Sequence, residues 1–109
     1  MPRRRWASPS RESVDELYQA EWCPHSRRVR QRLTELGVPF VARQVPAEPA
    51  DRGELRARTG SQEIPALVLE DGTAIASDAD EIIAYLDHRY SERADAQQHR
   101  DLAVEHDAA

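Results

Sequence analysis

Lysine is absent from this 109-residue chain; all fifteen basic side chains are arginine. GC-rich coding explains such a bias, and no binding chemistry is read from it. Cysteine occurs once, so no internal disulfide can form, and a reducing, cytoplasmic setting is expected. Aromatic residues are few: one Phe, two Trp and three Tyr. With 39% hydrophobic residues, the chain has material for one modest core and no second domain. Long apolar runs are missing too, and nothing approaches the length that crosses a membrane. Arg3, Arg4 and Arg5 look like the charged start of a secretion signal, but residues 7–13 put no apolar stretch behind them. Excess positive charge is also lacking. The formal charge of −5 removes the attraction that nucleic acid or an anionic membrane would exert, so neither is expected as a partner.

What charge there is lies unevenly. Residues 1–32 hold eight Arg against four acids, whereas residues 70–109 hold eleven acids against Arg89, Arg93 and Arg100. The acidic third reads most simply as a solvated surface. Residues 1–13, with Pro2, Ser8, Pro9 and Ser10, lack apolar periodicity and are expected to form a flexible arm.

The domain proper is expected over residues 14–90. Residues 14–19 look like a short strand, broken at residues 20–24 by a turn. From Ser26 onward Val29, Leu33 and Leu36 recur at helical spacing until Gly37 and Pro39 stop the run. Residues 39–45 alternate as a half-buried strand that ends at Pro46. A short helix over residues 51–59 would bury Leu55 and end at Gly60. Residues 64–69 form an apolar strand, Asp71-Gly72 a hairpin turn, and residues 73–76 its partner. Asp78 and Glu81 have capping-box spacing ahead of a helix carrying Ile82, Ile83 and Leu86 to about Tyr90. Residues 91–109 hold little apolar material beyond Leu102 and Val104 and are expected to be a polar tail, helical or disordered. The order is βαβ followed, after a second helix, by ββα. It predicts an α/β fold with a four-stranded mixed sheet and three helices, the layout of a thioredoxin-like fold.

Cys23 sits where the first strand gives way to the first helix. Free backbone N–H groups and the positive end of the helix dipole converge there and favour a thiolate. Arg27 and Arg28 in the first turn would add positive charge, and Pro24 suits the first helical position. The plain alternative is a Cys serving as a small buried hydrophobe. Trp22 either stacks over the thiol pocket or simply flanks a turn, and His25 either tunes the site or, as is favoured, is simply exposed. His88, His99 and His106 have no metal-ligand spacing involving the Cys, so no metal is expected.

Residues 21–33, from Glu21-Trp22-Cys23-Pro24-His25-Ser26 into Arg27-Arg28-Val29, resemble the active-site loop and first helix of glutaredoxins and of the glutathione transferase N-terminal domain. The segment Thr59-Gly60-Ser61-Gln62-Glu63-Ile64-Pro65 is similar to the family segment that ends in a cis proline facing the active-site Cys. Residues 78–86 resemble the motif that grips the γ-glutamyl end of glutathione. The resemblance implies Cys23 as a nucleophile toward mixed disulfides, with glutathione or another low-molecular-weight thiol as co-substrate and an oxidised protein or mixed disulfide as the other partner. It implies that the Ile64 backbone pairs with the cysteinyl part of the thiol beside Pro65, and that at the N-terminus of the last helix Asp78 and Asp80 meet its amino group while free N–H groups meet its carboxylate. An N-cap that binds nothing is the other reading of Asp78.

Four departures bear on activity. Ser26 stands where a dithiol glutaredoxin has its second Cys, which makes any cycle monothiol. Ala20 and Ala79 replace a Lys and a Ser that contact glutathione in family members, and Pro24-His25 replaces the Gly-Phe of cluster-assembling members, so iron–sulfur chemistry is not expected. The expectation is a monothiol oxidoreductase, monomeric or weakly dimeric. A conventional transferase is not expected, because its all-helical second domain has no counterpart in these residues. The rivals are a non-catalytic thioredoxin-fold binding module and a stand-alone transferase-like N-terminal domain that dimerises through an apolar patch.

Overall fold

The computed structural model describes residues 14–76 and 78–108; the expected arm at residues 1–13 lies outside the described residues. The elements follow in the order β1 (Asp15–Gln19), α1 (Pro24–Leu36), β2 (Phe40–Gln44), a 3-10 turn (Pro49–Asp51), α2 (Gly53–Thr59), β3 (Ala66–Val68), β4 (Ala74–Ala76), α3 (Ala79–Arg89) and α4 (Ala96–Ala108). The strands form one sheet in the order β2-β1-β3-β4. β1 runs parallel to β2, with Leu17 beside Ala42, and antiparallel to β3, with Leu17 beside Leu67. β3 and β4 make the antiparallel hairpin, Leu67 beside Ile75. This is the thioredoxin-like α/β fold with a mixed four-stranded sheet.

Alternation along β1 divides the core between the two faces of the sheet. Leu17 joins Val29, Leu33 and Leu36 of α1, Leu67 of β3 and Ala79, Ile82 and Leu86 of α3 on one face. Its neighbour Tyr18 packs with Leu55, Ala66 and Val68 on the other, so α2 covers that side through its one fully buried leucine.

Local chemistry sets the boundaries. α1 starts at Pro24, two residues before the apolar periodicity begins, because Cys23 caps it and Pro24 needs no N–H partner. It ends at Gly37, whose φ of 67° is the left-handed conformation that glycine adopts without penalty. The hairpin turn is closed by the Gly72 N–H to the Leu69 carbonyl at 2.8 Å and the Thr73 N–H to Asp71 Oδ1 at 2.9 Å. β3 is shorter than the apolar run 64–69, since Pro65 offers no N–H to a ladder.

Among the described residues there are four α-helices, not the expected three. The addition is α4, and what holds it is polar. Glu35 of α1 is buried and pairs with Arg32 at 2.6 Å and with Arg100 of α4 at 3.5 Å. Glu92 pairs with the same two arginines at 2.6 and 2.9 Å, and Arg32 also reaches Asp87 of α3 at 2.7 Å. The Arg93 N–H donates to the Glu35 carbonyl at 2.9 Å, and Ala96 is buried. Leu102 and Val104, the residues an apolar reading picks out, are exposed.

Candidate functional site

β1 delivers the chain to the turn at residues 20–23, which the Cys23 N–H closes by donating to the Ala20 carbonyl at 3.1 Å. Cys23 is the N-cap of α1, and its Sγ accepts the Ser26 N–H at 3.4 Å. An N-cap position already presents unpaired N–H groups to the cap side chain, so a sulfur placed there is surrounded by donors. Burial pushes the Cys23 thiol up, but hydrogen bonds from the Ser26 hydroxyl and the Ser26 and His25 backbone, with the Arg30 charge, outweigh it and leave the thiol below its ordinary value. Cys23 is 6% exposed, while Trp22 beside it is 67% exposed.

Ser26 and Arg30 therefore act on the sulfur, and sequence reasoning assigned neither that part. Ser26 is fully buried, and its Oγ accepts the Ala20 N–H at 3.5 Å, fixing the hydroxyl under the turn. Arg30 donates to Gln19 Oε1 and to the Ala20 carbonyl at 3.4 Å, and its charge lies 3.5 Å from Glu21. The available signal was spacing: Ser26 occupies N3, the position whose N–H reaches an N-cap side chain, and Arg30 lies seven residues after Cys23 on the same helix face. Of the two arginines expected to stabilise the thiolate, Arg27 is exposed and Arg28 is paired with Asp80 at 2.5 Å.

A cleft of about 200 Å3 is lined by His25, Arg28, Ile64, Pro65, Asp78, Ala79 and Asp80. It brings together Arg28, Ile64, Pro65, Asp78 and Asp80 of the expected site. Cys23, Trp22, Pro24 and Arg27 are not among its walls. The Ile64–Pro65 peptide is cis. Asp78 caps α3, its Oδ1 accepting the N–H groups of Asp80 at 3.0 Å and Glu81 at 3.3 Å. His25 is exposed.

Behind Ile64 the backbone is held by a buried arginine. Arg52, 5% exposed, donates to the carbonyls of Pro46 (2.8 Å), Ala47 (3.1 Å) and Gln62 (3.0 Å), tying the loop after β2 to the segment before the cis peptide. A second cleft, about 310 Å3, lies at the far end of β1 among Asp15, Glu70, Asp71, Tyr85, Arg89 and Tyr90. It contains none of the expected residues. No described helix is long and apolar enough to cross a membrane.

Residues 17–94 match the family model of the glutathione S-transferase N-terminal domain. The chain belongs to this family. Solved structures agree with that placement of the glutathione S-transferase N-terminal domain. A glutathione S-transferase domain-containing protein from Marinobacter aquaeolei VT8 is 30% identical with a TM-score of 0.61, over 72% of this chain and 40% of that one. A glutathione S-transferase from Methylobacillus flagellatus kt, solved with glutathione bound, is 28% identical with a TM-score of 0.60, over 70% and 37%. Glutaredoxin 2 of Salmonella typhimurium in complex with glutathione is 19% identical with a TM-score of 0.60, over 69% and 33%, a likeness of fold. The chain spans about a third to two fifths of the length of these structures. No curated protein matches it significantly.

Proposed function

We propose that this member of the glutathione S-transferase N-terminal domain family binds glutathione, or another low-molecular-weight thiol, and uses Cys23 for monothiol exchange with mixed disulfides. The observation that carries the reading is Cys23 Sγ at the N-cap of α1, where it accepts the Ser26 N–H and its thiol lies below its ordinary pKa despite burial. In the first step the Cys23 thiolate attacks the glutathione sulfur of a glutathionylated protein. The Cys23–glutathione disulfide forms, the original S–S bond breaks, and the protein thiolate leaves. A second glutathione thiolate then attacks that disulfide, releasing oxidised glutathione and regenerating Cys23. No second Cys is needed; Ser26 stands in its place and serves as a donor to the sulfur. The Ile64 backbone beside Pro65 pairs with the cysteinyl part of the thiol, Asp78 and Asp80 receive its amino group, and exposed Trp22 with Pro24 flanks the incoming partner. The setting is cytoplasmic and the protein monomeric or weakly dimeric.

The test is turnover of a glutathionylated peptide with glutathione, comparing the native protein with Cys23→Ser. Turnover by the native chain that the variant lacks is expected; equal rates would overturn the reading. A second reading is favoured by the 6% exposure of Cys23 and by Ala20 and Ala79, which offer no side-chain contact to a ligand. It is a transferase-like domain that holds the thiol without exchanging it, and glutathione binding with no turnover would identify it.

A further inference from the structure

Residues 60–65 carry the chain from α2 to β3 outside any helix or ladder, and Ile64 and Pro65 at their end form one wall of the 200 Å3 cleft. Among the described residues the Ile64 N–H and carbonyl make no hydrogen bond. A peptide-like ligand that pairs there gains most when both groups are already oriented, because ordering backbone on binding costs affinity. C-terminal to Ile64 the sheet supplies the order, since Ala66 pairs with Tyr18 on one side and Ala76 on the other. N-terminal to it, side chains do so. The Gln62 carbonyl takes an N–H of Arg52 at 3.0 Å, and the Glu63 N–H donates to Ser61 Oγ at 3.1 Å. The peptide unit between Gln62 and Glu63 is thus gripped at both of its polar atoms. Being planar, it fixes the direction in which the chain enters Ile64.

Arg52 makes that grip at a cost. It is buried and always charged, and its partners are three carbonyls, with Nε on Pro46, Nη1 on Gln62 and Nη2 on Ala47. An apolar side chain beside Leu55 would anchor α2 without burying a charge, but it could not direct a carbonyl. The planar fork locks the loop after β2 to Gln62 in one orientation.

We propose that Arg52 is a positioning residue for thiol binding, which through the Gln62 carbonyl holds the Ile64 backbone ready to pair with the peptide of the incoming thiol. The proposal rests on the thiol-binding reading above. Arg52 is not among the walls of the cleft and touches no ligand. It acts on affinity and leaves the reactivity of Cys23 alone, because the donors to that sulfur, Ser26, His25 and Arg30, lie on α1.

The test is calorimetric titration of the native chain, Arg52→Met and Arg52→Lys with S-methylglutathione, which forms no disulfide with Cys23. The pH profile of Cys23 alkylation by iodoacetamide is measured on each protein without ligand. Arg52→Met is expected to weaken binding about tenfold, the order of fixing the backbone of one residue on binding. Arg52→Lys keeps the charge and the stem but replaces the fork by a single ammonium, so it is expected to recover part of that loss. Both variants are expected to keep the native alkylation inflection, which a general loosening of the fold would move. Binding by Arg52→Met within about twofold of native overturns the proposal while thiol binding stands. Weakened binding with a shifted inflection makes Arg52 a support of the fold as a whole and overturns it too. Where Arg52→Met does not fold, the same two readouts on Arg52→Lys decide, with native-like affinity overturning the proposal. Failure of the native chain to bind S-methylglutathione overturns the thiol-binding reading itself, and this proposal with it.

Discussion

Cys23 owes its character to three residues within two helical turns: Ser26 with hydroxyl and N–H, His25 with N–H, and Arg30 with charge. Ser26→Ala keeps the N–H but deletes the hydroxyl, so the thiol should rise and its alkylation at neutral pH should slow about threefold to tenfold, as expected for one lost hydrogen bond. Rates of iodoacetamide modification across pH measure this. Cys23 and the turn around it were legible in the sequence because strand, Cys-Pro and helix follow directly. The choice of guanidinium was not, since composition offers four arginines over residues 27–32 and only side-chain packing separates Arg28, turned to Asp80, from Arg30. Asp15 behaves oppositely to the carboxylates of the ion-pair network. Burial raises its pKa above the ordinary 3.8, with Glu70 and Asp71 adding repulsion against the Glu70 N–H and Arg89. A raised carboxylate lowers stability as pH climbs through its folded value, so Asp15→Asn should raise the melting temperature at pH 7 and lose that advantage in acid.

α4 is the element that apolar periodicity could not find, because Glu35, Glu92, Arg32 and Arg100 hold it. Those arginines hold the Glu92 carboxyl down to about 2. A depressed carboxylate contributes stability above its unfolded pKa and loses it as pH falls through the folded value. The attachment of α4 should therefore weaken between about pH 4.5 and pH 2. Hydrogen exchange should show amides of Ala96–Ala108 losing protection at pH 3, or in high salt, while those of β1 and β3 keep theirs; simultaneous loss would contradict a helix held by ion pairs. α2 and the loop before it pose the complementary case. Leu55 was visible as its one apolar anchor, but Arg52 reads as one more surface charge until its three carbonyl partners are seen. Arg52→Ala should lower stability by about 1–3 kcal/mol, the range for leaving buried acceptors unpaired, as read from the urea midpoint.

The arrangement of the whole chain was the most legible level. A βαβ unit with a parallel strand pair followed by a hairpin and a helix admits few sheets, and β2-β1-β3-β4 with helices on both faces is the one formed. The two apolar clusters follow from residues 17 and 18 pointing to opposite faces, a consequence of strand geometry visible in Leu17-Tyr18 itself. The cleft was legible only in part. Ile64-Pro65 and residues 78–80 were marked by motif, but their meeting with α1 depends on the packing of α3 against it. That packing brings Arg28 against Asp80 beside Ile64-Pro65, with the buried Cys23 outside the cleft's walls, and it is chemistry at the thiol that distinguishes exchange from simple retention of a ligand. The decisive measurement is the second-order rate of Cys23 alkylation by iodoacetamide as a function of pH, with Cys23→Ser as the blank and glutathione in a parallel series. The account predicts an inflection below the free-thiol value of about 8.5 and slower modification in the presence of glutathione. An inflection at or above that value, with no protection, would contradict it.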